Sequence, residues 1–192
     1  MGDSFIVFKD AILNAGLRKG DVVSETRISE LKEYSDKQYI KFKIFEILGR
    51  RDHSTNEIKK KLLKMRFVNH SLIDVVIEEF QEKNYINDAE FAKRYVEYLS
   101  EFKKAGVNKI KQQLYGKGIS RSISDEILKE EEFKEKQSEN CLQVAEKKYK
   151  ILKEREQDSF KIKQKLYTFL IGRGFNYEDS EQACRKLIQS ED

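Results

Sequence analysis

Three stretches of the chain repeat one pattern of apolar and polar positions. "NEIKKKLLKMRF", "NKIKQQLYGKGI" and "FKIKQKLYTFLIGRGF" each place an isoleucine (Ile58, Ile110, Ile162) four residues before a leucine (Leu62, Leu114, Leu166). That spacing sets both residues on one helical face. The isoleucines stand 52 residues apart, at 58, 110 and 162. A bulky apolar residue should close each helix: Phe67, Ile119 and Phe175, at intervals of 9, 9 and 13 residues from the isoleucine. The four extra residues in the third copy, "TFLI", add about one turn and keep the face in register.

Apolar stripes on both sides of these helices predict a helical trio in each copy. The first trio has Ile40, Ile44, Phe45, Ile47 and Leu48 on its first helix and Leu72, Ile73, Val76, Ile77 and Phe80 on its last. The second opens at Asp88 and closes on Ile123, Ile127 and Leu128. The third carries Leu142, Ala145, Tyr149 and Leu152, then Ala183, Leu187 and Ile188. The expected fold is all-α: an elongated array of three tandem three-helix repeats with a short N-terminal extension. The expected boundaries are 1–36, 37–87, 88–132 and 133–192. Units this small bury too little surface alone and should pack on their neighbours. Residues 1–36 fit none of the copies. They offer a short strand at Phe5 to Phe8, the glycines Gly16 and Gly20, and a helix starting near Ser24.

Local signals mark the joints. Ser54 and Glu57 form a capping-box pattern, and Asn87 with Glu90 repeats it, with Ile86 and Phe91 placed as a hydrophobic staple. Gly118 and Gly174 stand where a helix end needs a left-handed residue. The stripe Phe91, Tyr95, Tyr98, Phe102 is expected to be packing surface.

Composition agrees with helices. The 192 residues include no proline, and 38% are charged against 39% apolar, too apolar for a disordered chain. No run has membrane-spanning length, and "FIVF" is too short for a signal core. Cys141 and Cys184 show no CxxC spacing, so a reducing cytoplasm fits.

The net charge of +4 hides a segregated pattern. The middle helix of each trio is basic, and between Lys103 and Arg121 there is no acid at all; the last helices are acidic. Lys60, Lys64, Lys109, Lys111, Lys161 and Lys165 are the candidate partner-binding residues. Basic helices recurring three times suit a periodic polyanion or a repetitive acidic protein surface; the plainer reading is solvated faces and internal partners.

Little else carries chemistry. There is no GxxxxGK[ST] loop, "GRG" and "GKG" lack dinucleotide spacing, and His53 and His70 have no ligand neighbours, so surface or cap positions are expected for them. The two thiols read as buried rather than nucleophilic. No catalytic, cofactor-binding or metal residue is assigned, and no enzyme is expected.

"YINDAEFAKRYV", Tyr85 to Val96, resembles the diagnostic segment of the RecX regulatory protein family. "GVNKIKQQLYGKGI" is similar to the family's next segment, with Gly106, Ile110, Leu114, Gly118 and Ile119 in place. "STNEIKKKLLKMRF" and "KLYTFLIGRGF" resemble the flanking repeats, and the likeness spans about Gln38 to Gln189, more loosely "GLRKGDVVSE". Two positions depart from it: Asn84 stands where the family usually has glycine, and Gln113 where an acid is common. The resemblance implies a cytoplasmic modulator of the RecA recombinase. Such proteins bind in the groove of the RecA–single-stranded-DNA filament and restrain ATP hydrolysis and strand exchange. The expected partner is that filament, with weak contact to single-stranded or duplex DNA, no membrane, and a monomeric state. A direct DNA-binding module of helix-turn-helix type and a helical scaffold for another partner are the alternatives.

Overall fold

The structure, a computed structural model, describes residues 7–189, which form ten α-helices and no strand. Of the expected strand at Phe5 to Phe8, Phe5 and Ile6 lie outside the described residues; Val7 and Phe8 precede α1 in no regular element. The chain divides into two compact units, the first ending at Asn87 and the second starting at Asp88.

The first unit holds α1 (Lys9–Asn14), α2 (Glu25–Leu48), α3 (Thr55–Leu62), a 3₁₀ turn (His70–Leu72) and α4 (Ile73–Glu82). Ser24 caps α2 by accepting the Arg27 amide. The helix expected from Ser24 and the first helix of trio one are a single 24-residue rod, because no glycine or proline breaks the chain between them. The sequence boundary at 36/37 therefore falls inside a helix. The N-terminal half of α2 holds α1, with the Phe8 amide donating to Ser35 Oγ at 2.7 Å and Phe8 against the Tyr39 ring. Its C-terminal half, with Ile40, Ile44 and Ile47, closes a core over Ile58, Leu62, Val76, Ile77 and Phe80.

The second unit contains two trios. One is α5 (Asp88–Glu101), α6 (Val107–Gly116) and α7 (Arg121–Lys129); the other is α8 (Glu131–Lys153), α9 (Ser159–Gly172) and α10 (Tyr177–Gln189). Each has its own core, around Ile110 and Leu114 in one and Ile162 and Leu166 in the other. All three repeated isoleucines and leucines are almost wholly buried. Helix α9 is 14 residues against 10 in α6, so "TFLI" is indeed one added turn.

Helix ends follow the same rule in three places. The Ile119 amide bonds to Leu114 O and Gly118 to Tyr115 O; Phe175 and Gly174 repeat this with Leu170 and Ile171, and Tyr85 and Asn84 with Phe80 and Gln81. These are Schellman ends, and their left-handed residues are Gly118, Gly174 and Asn84 (φ 79, 91 and 57). Helix α3 has no such end. Arg66 stands where trio two has Gly118, and the chain leaves α3 through a series of turns instead. As a result Phe67, expected to close the core, is 77% exposed, and Val68 takes its place.

The two trios of the second unit meet at a backbone joint. The Gly106 amide donates to Arg173 O (3.1 Å) and the Asn108 amide to Gly174 O (2.9 Å). The Arg173 guanidinium donates to the carbonyls of Lys103 and Lys104, in the turn between α5 and α6. On the other side of the joint Gln137 and Asn140 of α8, both buried, donate to Ser100, and Lys104 Nζ donates to Asn140 Oδ1. The bonds of Gln137 and Asn140, which are buried, are the costly ones to lose.

Candidate functional site

The six candidate lysines are all exposed, but they do not form one equivalent set. Lys60 lies on α3, and Lys64 lies just beyond its end, in the turn. Lys109 and Lys111 sit on α6, and Lys161 and Lys165 on α9. Only Lys109 and Lys161 occupy matching positions, 52 residues apart; Glu57, the capping-box acid, holds that position in the first trio.

The acids of the last helices reach back to the middle ones at one recurring place. Lys59 pairs with Asp74 (2.5 Å), Lys111 with Asp125 (3.8 Å) and Lys163 with Glu181 (3.0 Å). These lysines share the 52-residue spacing, so the same internal bridge is built in each trio. Hydrogen bonds from Lys163 and Arg185 hold the Glu181 carboxyl below its usual range. Exposed pairs like these are worth about 0–1 kcal/mol, but they spend one charge per middle helix inside the protein. Lys165 is likewise engaged by Glu156 (2.9 Å), and Lys161 stands 3.8 Å from Asp158, the N-cap of α9. Lys60, Lys64 and Lys109 make no ion pair among the described residues.

Other basic residues have structural duties that the sequence concealed. Arg173, the residue just after α9, is turned into the joint with trio two, and Lys104 is spent on Asn140. Lys61 Nζ approaches His53 Nε2 at 2.7 Å. Expected at a surface or cap position, His53 directly precedes the Ser54 N-cap but is only 4% exposed, and its Nδ1 donates to Arg51 O at 2.8 Å. With Nδ1 protonated, Nε2 accepts from the ammonium, so the ring is neutral; burial lowers its pKa below the ordinary value. A signal for this was present only as the local order His53-Ser54 ahead of a capping box.

The stripe on α5 is only half packing. Phe91 is 6% exposed, whereas Tyr98 is 43% and Phe102 75% exposed. Lys117 Nζ lies over the Tyr95 ring and Lys103 Nζ over the Tyr98 ring, at 5.4 and 5.5 Å from the centroids.

The thiols lie in the third core, and burial pushes Cys141 up to about 12 and Cys184 to about 11. Neither is a nucleophile at neutral pH. Among the described residues no three His, Cys, Asp or Glu side chains gather to hold a metal, and no helix is long and apolar enough to cross a membrane. What the surface offers is recognition by charge and by exposed rings.

Known proteins share this arrangement. Residues 87–128 match the family described as "RecX, second three-helix domain", and residues 134–184 match "RecX, third three-helix domain". Regulatory protein RecX of Clostridioides difficile (strain 630) is 32% identical over 184 residues, covering 95% of this chain and 84% of that one. A crystal structure of regulatory protein RecX superposes with a TM-score of 0.79 at 21% identity, over 97% of this chain and 89% of that one. RecX from Lactobacillus salivarius gives a TM-score of 0.72 at 22% identity, over 79% and 96%.

Proposed function

The chain belongs to the RecX regulatory protein family, and we propose that it binds the RecA–single-stranded-DNA filament and inhibits ATP hydrolysis and strand exchange. It acts as a non-catalytic, monomeric regulator in the cytoplasm, within recombination, DNA repair and control of the SOS response. Three trios, the first starting within α2, the second at α5 and the third at α8, serve as its contact units.

The observation that carries this reading is the likeness to a regulatory protein RecX across 95% of this chain and 84% of that one. The surface chemistry supports it. Each trio keeps an exposed lysine on or beside its middle helix: Lys60 and Lys64 in the first, Lys109 in the second, Lys161 in the third. A helical filament repeats its acidic surface, and weak contacts made by linked units add through effective concentration. Lys111, Lys161 and Lys165 must each release an internal acid before contacting a partner, which leaves Lys60, Lys64 and Lys109 as the first candidates.

The test is a titration of the protein into DNA-dependent ATP hydrolysis by RecA. Hydrolysis should fall as the protein saturates the filament; an unchanged rate at saturation overturns the reading. Lys60→Glu with Lys64→Glu, and separately Lys109→Glu with Lys161→Glu, should raise the half-inhibiting concentration on the order of tenfold, since like charges at an interface are strongly penalised. Unfolding midpoints should barely move, as such surface changes usually stay within about 0.5 kcal/mol.

A further inference from the structure

Four carboxylates converge on one groove of the second unit. Glu97 and Glu101 of α5, Glu130 between α7 and α8, and Glu132 of α8 line a half-open groove of about 280 Å³, walled by Val96, Ile127 and Phe133. All four acids are exposed, and their carboxylates make no ion pair or hydrogen bond among the described residues. Lys93 and Lys136 also line the groove, yet neither pairs with them. Glu131, in the same acidic run, turns instead to Lys134 at 2.9 Å.

Nothing in the fold calls for these charges. Glu97 and Glu101 stand one turn apart on α5, where like charges repel. Glu101 is also the last residue of α5, where the helix dipole favours a cation, and that last turn holds no base. Asp74, Asp125 and Glu181 are different, because each holds a lysine of its own trio. In the groove the repulsion is left standing beside an apolar wall. Ser100, 4% exposed, lines the same groove. Its Oγ accepts from Gln137 Nε2 at 3.3 Å and Asn140 Nδ2 at 3.1 Å, and its own proton meets no acceptor among the described residues. A buried donor left in that state favours an acceptor arriving through the groove.

We propose that this groove docks a basic, partly apolar segment of a partner protein. Lysine or arginine side chains of that segment meet Glu97, Glu101, Glu130 and Glu132. An apolar side chain between them lies on Ile127 and Phe133, and a main-chain carbonyl takes the Ser100 proton. Charge complementarity selects this occupant. A nucleic acid is repelled by the four carboxylates, and a small cation leaves the apolar wall wet and offers Ser100 no acceptor. The groove has the opposite sign from the lysines proposed to meet RecA, and its test contains no RecA.

Binding of a fluorescently labelled peptide, made of Arg-Leu-Arg triplets joined by serines, to the full chain is followed by anisotropy. Glu97→Gln with Glu101→Gln should weaken binding on the order of tenfold, the effect of losing two exposed ion pairs. The same double variant should keep or raise the urea midpoint, since it removes a repulsion. Glu131→Gln with Glu135→Gln, on α8 but outside the groove, should bind as the parent does. A peptide with serine in place of leucine should bind roughly 10- to 100-fold more weakly, the range for leaving a leucine exposed. The proposal is overturned if the parent protein does not bind the peptide, if the groove variant binds as the parent does, or if the control variant weakens binding equally. It also fails if the leucine-free peptide binds equally well, which would reduce the contact to bulk charge. A lowered urea midpoint in the groove variant would assign the carboxylates to the fold. Displacement of the peptide by spermidine or magnesium, but not by sodium at equal ionic strength, would make the groove a small-cation site instead.

Discussion

Gly106 and Gly174 meet backbone to backbone. A β-carbon built on Gly106 would stand 2.0 Å from the Phe175 nitrogen and 2.1 Å from the Gly174 carbonyl carbon. Neither neighbour is a side chain that can swing aside, so any residue but glycine must open the joint between the two trios of the second unit.

Gly106→Ala is therefore expected to destabilise the protein by about 3 kcal/mol, the upper range for overpacking a closed contact. Gly116→Ala is the control. It lies in α6 with nothing within 4 Å of the added carbon, and should stabilise by roughly 0.5–1 kcal/mol through helix propensity. Urea unfolding of both variants checks the contrast. Equal effects would show that the close approach does not govern the joint.

Asn84 supports the Schellman end of α4 at φ 57. Asparagine tolerates this region and glycine prefers it, so Asn84→Gly should change stability by only a few tenths of a kcal/mol. Asn84→Ala should cost about 1 kcal/mol. Thermal or urea midpoints of the pair decide, and an alanine variant as stable as the glycine one would rule out the backbone as the cause.

His53 makes stability depend on pH in a defined window. Its folded pKa is lowered, so the unfolded chain binds the proton first as pH falls. The stabilisation is complete above the unfolded value of about 6.5 and is lost progressively below it, down to the folded pKa. The cations of Arg51 and Lys61 push in the same direction as burial, and Glu57 opposes them. Unfolding free energy of the protein measured between pH 8 and 5 should fall below about pH 6.5. His53→Gln should be less stable at pH 8 and show a flatter profile; an unchanged slope would assign the acid sensitivity elsewhere.

Cys141 and Cys184 should react slowly with a disulfide reagent at pH 8. Their thiols, raised to about 12 and about 11, are almost wholly protonated there, and both are buried. Denaturant should release both at the rate of ordinary free thiols. Fast labelling of either one in native protein would contradict its place in the core.

Much of the local structure could be read from residues a turn or two apart. Ile58 with Leu62, and their copies at 110/114 and 162/166, mark the buried faces by a spacing that a helix alone imposes. Ser54 with Glu57 forms the capping box it promised, and Gly118 and Gly174 adopt the left-handed ends. Phe67 was misread for a local reason too: with Arg66 in place of a glycine the turn runs on, and Val68 becomes the core residue.

The candidate surface was less legible. Lys59, Lys111 and Lys163 look no different in sequence from Lys60 or Lys109, yet each is held by an acid on the last helix of its trio. Arg173 reaches a carbonyl 70 residues away, and His53 is enclosed by a side chain eight residues on. The buried faces and most ends of the repeated helices are written in periods of three and four residues, which the backbone reads without knowing its neighbours. Which charge is spent, which ring is left bare and where two glycines must touch depend on how finished helices rotate and pack against one another. No short-range pattern carries that information, because the energy deciding it appears only when distant segments share one surface.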